Sequence, residues 1–258
     1  VTGIPEGPGG IKSEPVTQVT PEELAAQEAA EAAAQQSTGQ SQTTDGIDPS
    51  KPMVALTFDD GPSKTTPAVL DALNAAGVKA TFFVVATGYN EKYLPLIADA
   101  AAAGHQIALH SASHEYSDIY QSADAYWQDI ELLKERISPY VNTASLHYLR
   151  FPGGSTNTVS HRYGGRGIMK TLKAQAEDKG YHWIDWNVCA EDATASHPNA
   201  AQILRNIRRD ADGHDTCVVL LHDTKATGQT VKALPDIIAY FKEQGYTFCT
   251  VAQMEALK

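Results

Sequence analysis

Residues 1–50 contain no Phe, Trp, Tyr or Cys. A segment without large apolar side chains cannot build a packed core, so this stretch reads as a flexible, solvated tail. Its run Glu22–Gln36 (EELAAQEAAEAAAQQ) has the composition of a helix but no apolar face, and such a helix is marginal alone in water. The whole chain lacks any run of about 18 apolar residues, so no segment reads as a bilayer span. It also lacks a basic stripe. Of the formal net charge of −11, residues 1–50 carry −7, from eight acids against one base, and the remainder carries −4. That balance excludes nucleic acid as a partner and disfavours anionic membranes. Cysteines are few: Cys189, Cys217 and Cys249 show no metal-binding or framework spacing, and the odd count leaves at least one thiol unpaired. Cys217 and Cys249 both fall at candidate strands, so a contact between them stays open beside the commoner state of buried free thiols. The chain begins Val1-Thr2-Gly3, without Met or a signal peptide. An acidic tail ahead of a folded domain suits a catalytic unit held away from a cell surface, and a monomer is expected.

From residue 51 to 258 the pattern changes to short β-rich apolar runs alternating with amphipathic stretches. The runs predict strands at 53–58, 80–86, 106–110, 147–151, 182–188, 217–222 and 246–251. Helices are predicted at 65–76, 91–103, 122–137, 166–179, 199–210 and 229–244, several ending at a glycine suited to a helix C-terminus: Gly77, Gly104, Gly180 and Gly245. Strands alternating with helices imply one α/β domain with a mostly parallel sheet. Periodicity does not decide whether that sheet is open or closed. In either form, ligands collect beyond the C-terminal ends of the strands, and the reactive residues of this sequence lie there.

The first cluster is Thr57-Phe58-Asp59-Asp60-Gly61-Pro62-Ser63. Adjacent carboxylates at a strand end point in different directions, so one can hold a metal while the other faces a water; a turn with solvated acids is the plain alternative. The second is His110-Ser111-Ala112-Ser113-His114. Two histidines four apart share a face if the chain turns helical, a spacing that suits one divalent ion. With one carboxylate they form the two-His, one-Asp set of an open, catalytic site. In Arg150-Phe151-Pro152-Gly153-Gly154-Ser155 an arginine after a strand can orient a carboxylate, and glycines let backbone N–H groups approach a ligand. His222, at the end of Val218–Leu221, is a candidate general acid, although a lone histidine is more often structural.

These segments, TFDDGPS, HSASH, RFPGG, the DWNVCAED region and LLHD, resemble in kind and order those of the polysaccharide deacetylases, carbohydrate esterase family four. The likeness covers about residues 51–251 and is nearest in look to clostridial-type peptidoglycan N-acetylglucosamine deacetylases. The resemblance implies a distorted (β/α) barrel of some seven strands. It implies one divalent metal ion, zinc first, with cobalt, nickel or manganese as alternatives, held by Asp60, His110 and His114. Asp59 would be the base, oriented by Arg150. The backbone N–H of Gly153 would help stabilise the oxyanion, and His222 would protonate the leaving nitrogen. Asp192 would support His222, with Asp185 as a rival. Leu220, Trp186 and Pro152 would shape the acetyl pocket. Many relatives carry Tyr where Gly153 stands, so a side-chain wall is missing here. The substrate implied is an acetylated polysaccharide, first peptidoglycan, at an extracellular or cell-surface location. An O-acetyl esterase on xylan and a non-catalytic glycan-binding protein are the other readings.

Overall fold

The computed structural model describes residues 43–258, so most of the expected tail, including Glu22–Gln36, lies outside the described residues. Residues 43–50 form turns. Ile47 packs on the domain, and the Thr43 carbonyl accepts a hydrogen bond from the Gln253 side chain at 2.8 Å.

Eight strands make one sheet: β1 (Met53–Asp59), β2 (Thr81–Val85), β3 (Gln106–Ser111), β4 (Tyr148–Leu149), β5 (His182–Trp183), β6 (Val188–Cys189), β7 (Thr216–His222) and β8 (Thr247–Phe248). Every pairing is parallel. The order is β5-β4-β3-β2-β1-β7-β6, with β8 beside the first residues of β1. The helices are α1 (Thr66–Ala76), α2 (Leu96–Ala102), α3 (Tyr116–Ile119), α4 (Ala123–Ile137), α5 (His161–Gly164), α6 (Ile168–Asp178), α7 (Ala200–Ala211), α8 (Gly228–Glu243) and α9 (Val251–Ala256). Local chemistry sets several of their starts. Ser122 accepts from the Ala125 N–H ahead of α4, while Asn199 and Thr250 form reciprocal capping boxes with Gln202 and Gln253.

The expected strand 182–188 is two strands on opposite edges of the sheet, β5 against β4 and β6 against β7. Its composition is β-rich throughout, but Ile184 bonds back to Leu149 of β4 and Asn187 to Val218 of β7, leaving Asp185-Trp186 to cross from one edge to the other. This crossover shapes the sheet. Five Cα steps from Trp183 to Val188 span at most about 18 Å, whereas the edges of a flat row of seven strands lie ~29 Å apart. The sheet must therefore curl, and it forms a half-barrel with its seam bridged by residues 184–187. The expected strand 246–251 is also shorter, because Thr250 caps α9 instead of extending β8. β1 lies between β7 and β8, so Cys217 and Cys249 do not pair; all three cysteines are free thiols.

Strand alternation sorts β1 between two layers. Val54, Leu56 and Phe58 point outward into the core under the helices, while Met53 and Ala55 point into the barrel beside Phe83 and Ala108. Val251 and Met254 of α9 plug the N-terminal end of that interior. Thr57 and Asp59 continue the inward face, so the barrel becomes polar towards its other mouth.

At the opposite end of the sheet, just ahead of β3, His105 is a buried liability. Its Nδ1 accepts the Ala80 N–H at 3.1 Å, which leaves Nε2 buried without a partner. Burial, followed by the charge of Lys79, pushes this imidazole down from 6.5 to about 4. The folded value lies below the ordinary one, so the stability it carries is complete above pH 6.5 and is lost as pH falls through about 4. The loss amounts to about 3 kcal/mol. His105→Asn, whose oxygen can still accept from Ala80, is expected to lose less stability than wild type between pH 7 and 4. Urea midpoints at the two pH values check this, and equal losses would refute it.

Candidate active site

The C-terminal ends of β1, β3, β4 and β7 converge on one cleft. Asp59 closes β1, level with His222 of β7 on one side and Phe83 of β2 on the other. Asp60 follows at φ 68°, a left-handed conformation that Asp tolerates better than most residues. The two carboxylates do not diverge as simple alternation predicts. Asp60 Oδ1 lies 3.3 Å and Asp59 Oδ2 3.8 Å from the same atom, His110 Nε2.

His110 Nδ1 is 2.6 Å from the Arg150 carbonyl. A carbonyl only accepts, so Nδ1 carries the hydrogen and the neutral ring presents a lone pair at Nε2. That lone pair faces Asp60 Oδ1, as does His114 Nε2 at 3.2 Å. Asp60 Oδ1 is buried and has no hydrogen-bond partner. The ligand atoms of Asp60, His110 and His114 lie within 4.8 Å of one another. Converging lone pairs of this kind call for a cation among them, and two imidazoles with a carboxylate suit a divalent transition metal. The three residues fit such an ion.

The histidines are not brought together by a helical turn, as their spacing suggests. His110 is the last residue but one of β3, and His114 sits at φ 56° after the following bend. Asp129 of α4 ties that bend. Its Oδ2 accepts from the Ser111 hydroxyl at 2.6 Å and the Ala112 N–H at 2.8 Å, and its Oδ1 from the Ser113 N–H at 2.9 Å. The Ser111 hydroxyl in turn accepts the His114 N–H at 2.8 Å. Sequence reading missed Asp129, although an acid in register with Tyr126, Ile130 and Leu133 on the buried face of a helix was a visible signal.

Arg150 is wholly buried. Its Nη1 donates to Asp59 Oδ1 at 2.8 Å and to the Thr57 hydroxyl at 2.7 Å; Nε and Nη2 donate to the carbonyls of Ile184 and Asp185. The guanidinium also lies 4.1 Å from the centroid of Phe83 and 5.5 Å from that of Trp186. Across the cleft, His222 Nδ1 is 2.8 Å from Asp192 Oδ1, while Asp192 Oδ2 accepts from the His222 N–H and the Thr230 hydroxyl. Burial lowers the affinity of His222 for a proton, but the hydrogen bond and charge of Asp192 outweigh it and raise the imidazole to about 9. Asp185, the rival partner, instead accepts from the Ser155 N–H and hydroxyl.

Gly153 is exposed at φ 80°, and its N–H makes no hydrogen bond among the described residues; Pro152 beside it is buried. Trp186 packs against Gly154, and Leu220 is 7% exposed on β7. Asp223 sits beneath this cleft. It accepts from Thr66 at 2.6 Å, and a Cβ at Gly61 would meet its carboxylate at 2.1 Å, so only glycine fits that turn. Burial, with Asp60 nearby, raises Asp223 to about 7. The cleft beside Asp60 and His114 has a volume of about 340 Å³ and is flanked by Tyr89, Tyr93 and Lys225. A larger open groove of about 1040 Å³ passes Trp127 on α4 and holds none of these residues.

Acids and histidines gathered at one mouth of a curled parallel sheet define a barrel hydrolase, and comparison with known proteins gives the family. The polysaccharide deacetylase family model matches residues 46–168. A peptidoglycan-N-acetylglucosamine deacetylase of Bacillus cereus is 32% identical over 205 residues, covering 78% of this chain and 87% of that protein. A bifunctional xylanase/deacetylase of Pseudobutyrivibrio xylanivorans is 32% identical over 80% of this chain, which spans only 31% of that longer protein. Among solved structures, the catalytic domain of a peptidoglycan N-acetylglucosamine deacetylase from Eubacterium rectale superposes with a TM-score of 0.74 at 39% identity, covering 81% of this chain and 92% of that one. The chain belongs to the polysaccharide deacetylase family and is a deacetylase of the hydrolase class.

The knot around Asp129 makes a prediction. Asp129→Ala frees the bend that places His114 against His110, and zinc affinity is expected to fall about 10- to 100-fold, as for other groups that orient metal ligands. Competition with a chromogenic chelator measures it; unchanged affinity would show that the bend holds its shape without Asp129.

Proposed function

We propose that this chain is a zinc-dependent N-deacetylase acting on N-acetylglucosamine units of peptidoglycan at the cell surface. The observation that carries the reading is His222 held against Asp192. An amide is hard to cleave because its nitrogen leaves poorly unless protonated, and the buried Asp192 carboxylate, 2.8 Å from His222 Nδ1, favours the imidazole that carries the needed proton. An ester leaving as an alcohol needs less of this help. The similarity to the Bacillus cereus and Eubacterium rectale proteins supports the same substrate class.

Asp60, His110 and His114 would hold the ion. When bound, a divalent ion polarises the acetyl carbonyl and acidifies water. Asp59, its Oδ1 fixed by Arg150, leaves Oδ2 facing the cleft to take the proton of the attacking water. The carbonyl oxygen becomes an oxyanion, which the Gly153 N–H meets; one such donor contributes about 3 kcal/mol. His222 gives its proton to the sugar nitrogen as the C–N bond breaks, releasing acetate and a free amine. Leu220, Trp186 and Pro152 enclose the methyl group. The domain performing this would comprise residues 51–258, with the residues before it serving as a tail.

Acetate release from peptidoglycan, N-acetylglucosamine oligomers and acetylated xylan tests the reading, before and after chelation with zinc returned. Release from the first two, lost on chelation and restored by zinc, is expected; release from xylan alone would make the protein an esterase. Asp59→Asn is expected to abolish turnover and keep the ion, whereas His110→Ala loses both; metal analysis of an ion-free Asp59→Asn protein would sink that division of roles. Asp192→Asn removes the charge that raises His222, so the alkaline limb of the rate profile should move down by about one unit or more. An unmoved limb would mean that another group supplies the proton.

A further inference from the structure

Gly153 lacks a side chain, but the space beside its backbone is filled. A Cβ at position 153 would lie 2.9 Å from Tyr116 Oη and 3.2 Å from its Cε1. Tyr116 opens α3, two residues beyond His114 and just after β3, and its phenol lies against the turn that follows β4. Its position is fixed on two sides. The ring meets His114 edge-on at 5.7 Å between centroids and tilts against Tyr120 at 5.7 Å. Tyr120 is buried and donates its hydroxyl to the Pro152 carbonyl at 2.7 Å, tying this aromatic pair to the turn that carries Gly153. The two hydroxyls differ in one respect. That of Tyr120 is spent on the backbone, while that of half-buried Tyr116 makes no hydrogen bond among the described residues. A phenol keeps its proton at neutral pH and is a donor there.

We propose that Tyr116 is a catalytic residue. Its hydroxyl donates a hydrogen bond to the acetyl oxygen as that oxygen gains negative charge, alongside the Gly153 N–H. No proton changes owner in this contact. The hydroxyl stabilises charge that develops only at the transition state, so its effect falls on kcat. Glycine at 153 is what makes room for it, because a side chain there would meet the phenol. The proposal rests on the deacetylase reading given above, and it names a donor from α3 that the five sequence motifs do not contain.

Tyr116→Phe removes only the hydroxyl. The zinc-loaded full chain and this variant are compared in two assays: deacetylation of tetra-N-acetylchitotetraose, and calorimetric binding of methylphosphonate, a tetrahedral anion that mimics the charged intermediate. The variant is expected to lose about 10- to 100-fold in kcat with KM within about twofold, and to bind methylphosphonate about tenfold more weakly. Zinc content and melting temperature should match wild type. A purely packing role would instead lower the melting temperature or raise KM with kcat kept, and would overturn the proposal, as would equal kcat and equal affinity in the two proteins. If wild type releases no acetate yet the variant still binds methylphosphonate more weakly, the deacetylase reading falls and the donor stands. Absence of methylphosphonate binding by wild type would overturn the donor.

Discussion

A charge buried in protein is costly unless every part of it is answered, and Arg150 lies at the centre of this barrel with no exposure. Its answer is spread over three parts of the chain: Thr57 and Asp59 on β1, the carbonyls of Ile184 and Asp185 on the seam, and the rings of Phe83 and Trp186. Small residues on the inward faces, Ala55 and Ala108, line the interior around it. One side chain thus aims the Asp59 carboxylate, closes the seam of the half-barrel and sets the ring of Trp186. Its own backbone carbonyl fixes the tautomer of His110. The setting of Asp59 and that of His110 both trace back to this one residue.

The cleft divides into two electrostatic halves. On one side, the ligand atoms of Asp60, His110 and His114 converge to within 4.8 Å of one another, a set suited to a cation. On the other, Asp192 satisfies His222 from beneath, with Thr230 and backbone holding the carboxylate still. Asp59 stands between them. Parallel pairing puts Asp59 and His222 at the same level on adjacent strands, so their separation follows from sheet register rather than from loop conformation.

Much of this was legible in the sequence because the reactive residues close apolar runs, and such runs mark strands whatever their order. Asp59, His110, Arg150 and His222 all fall where that rule puts them. What was not legible is pairing. HWIDWNV reads as one strand because composition reports β-propensity, whereas the two halves serve opposite edges of the sheet, which only closure of the whole can specify. The bend between His110 and His114 was hidden for a similar reason: its shape comes from Asp129, on a helix later in the chain. The choice of Asp192 over Asp185 likewise depends on which residue faces inward after the seam, where strand alternation no longer applies.

The seam has a consequence for how such a protein can change. Asp185 and Trp186 belong to no strand ladder, yet they bring the Trp186 ring within 5.5 Å of the Arg150 guanidinium. Replacing the Trp186 side chain breaks no backbone bond to a neighbouring strand, provided that the two carbonyls held by Arg150 stay in place and Asn187 keeps its hold on Thr216 and Val218. The lining of the cleft can therefore change at this one bridging position while the hydrogen-bonded frame that aligns Asp59 and His222 is inherited untouched.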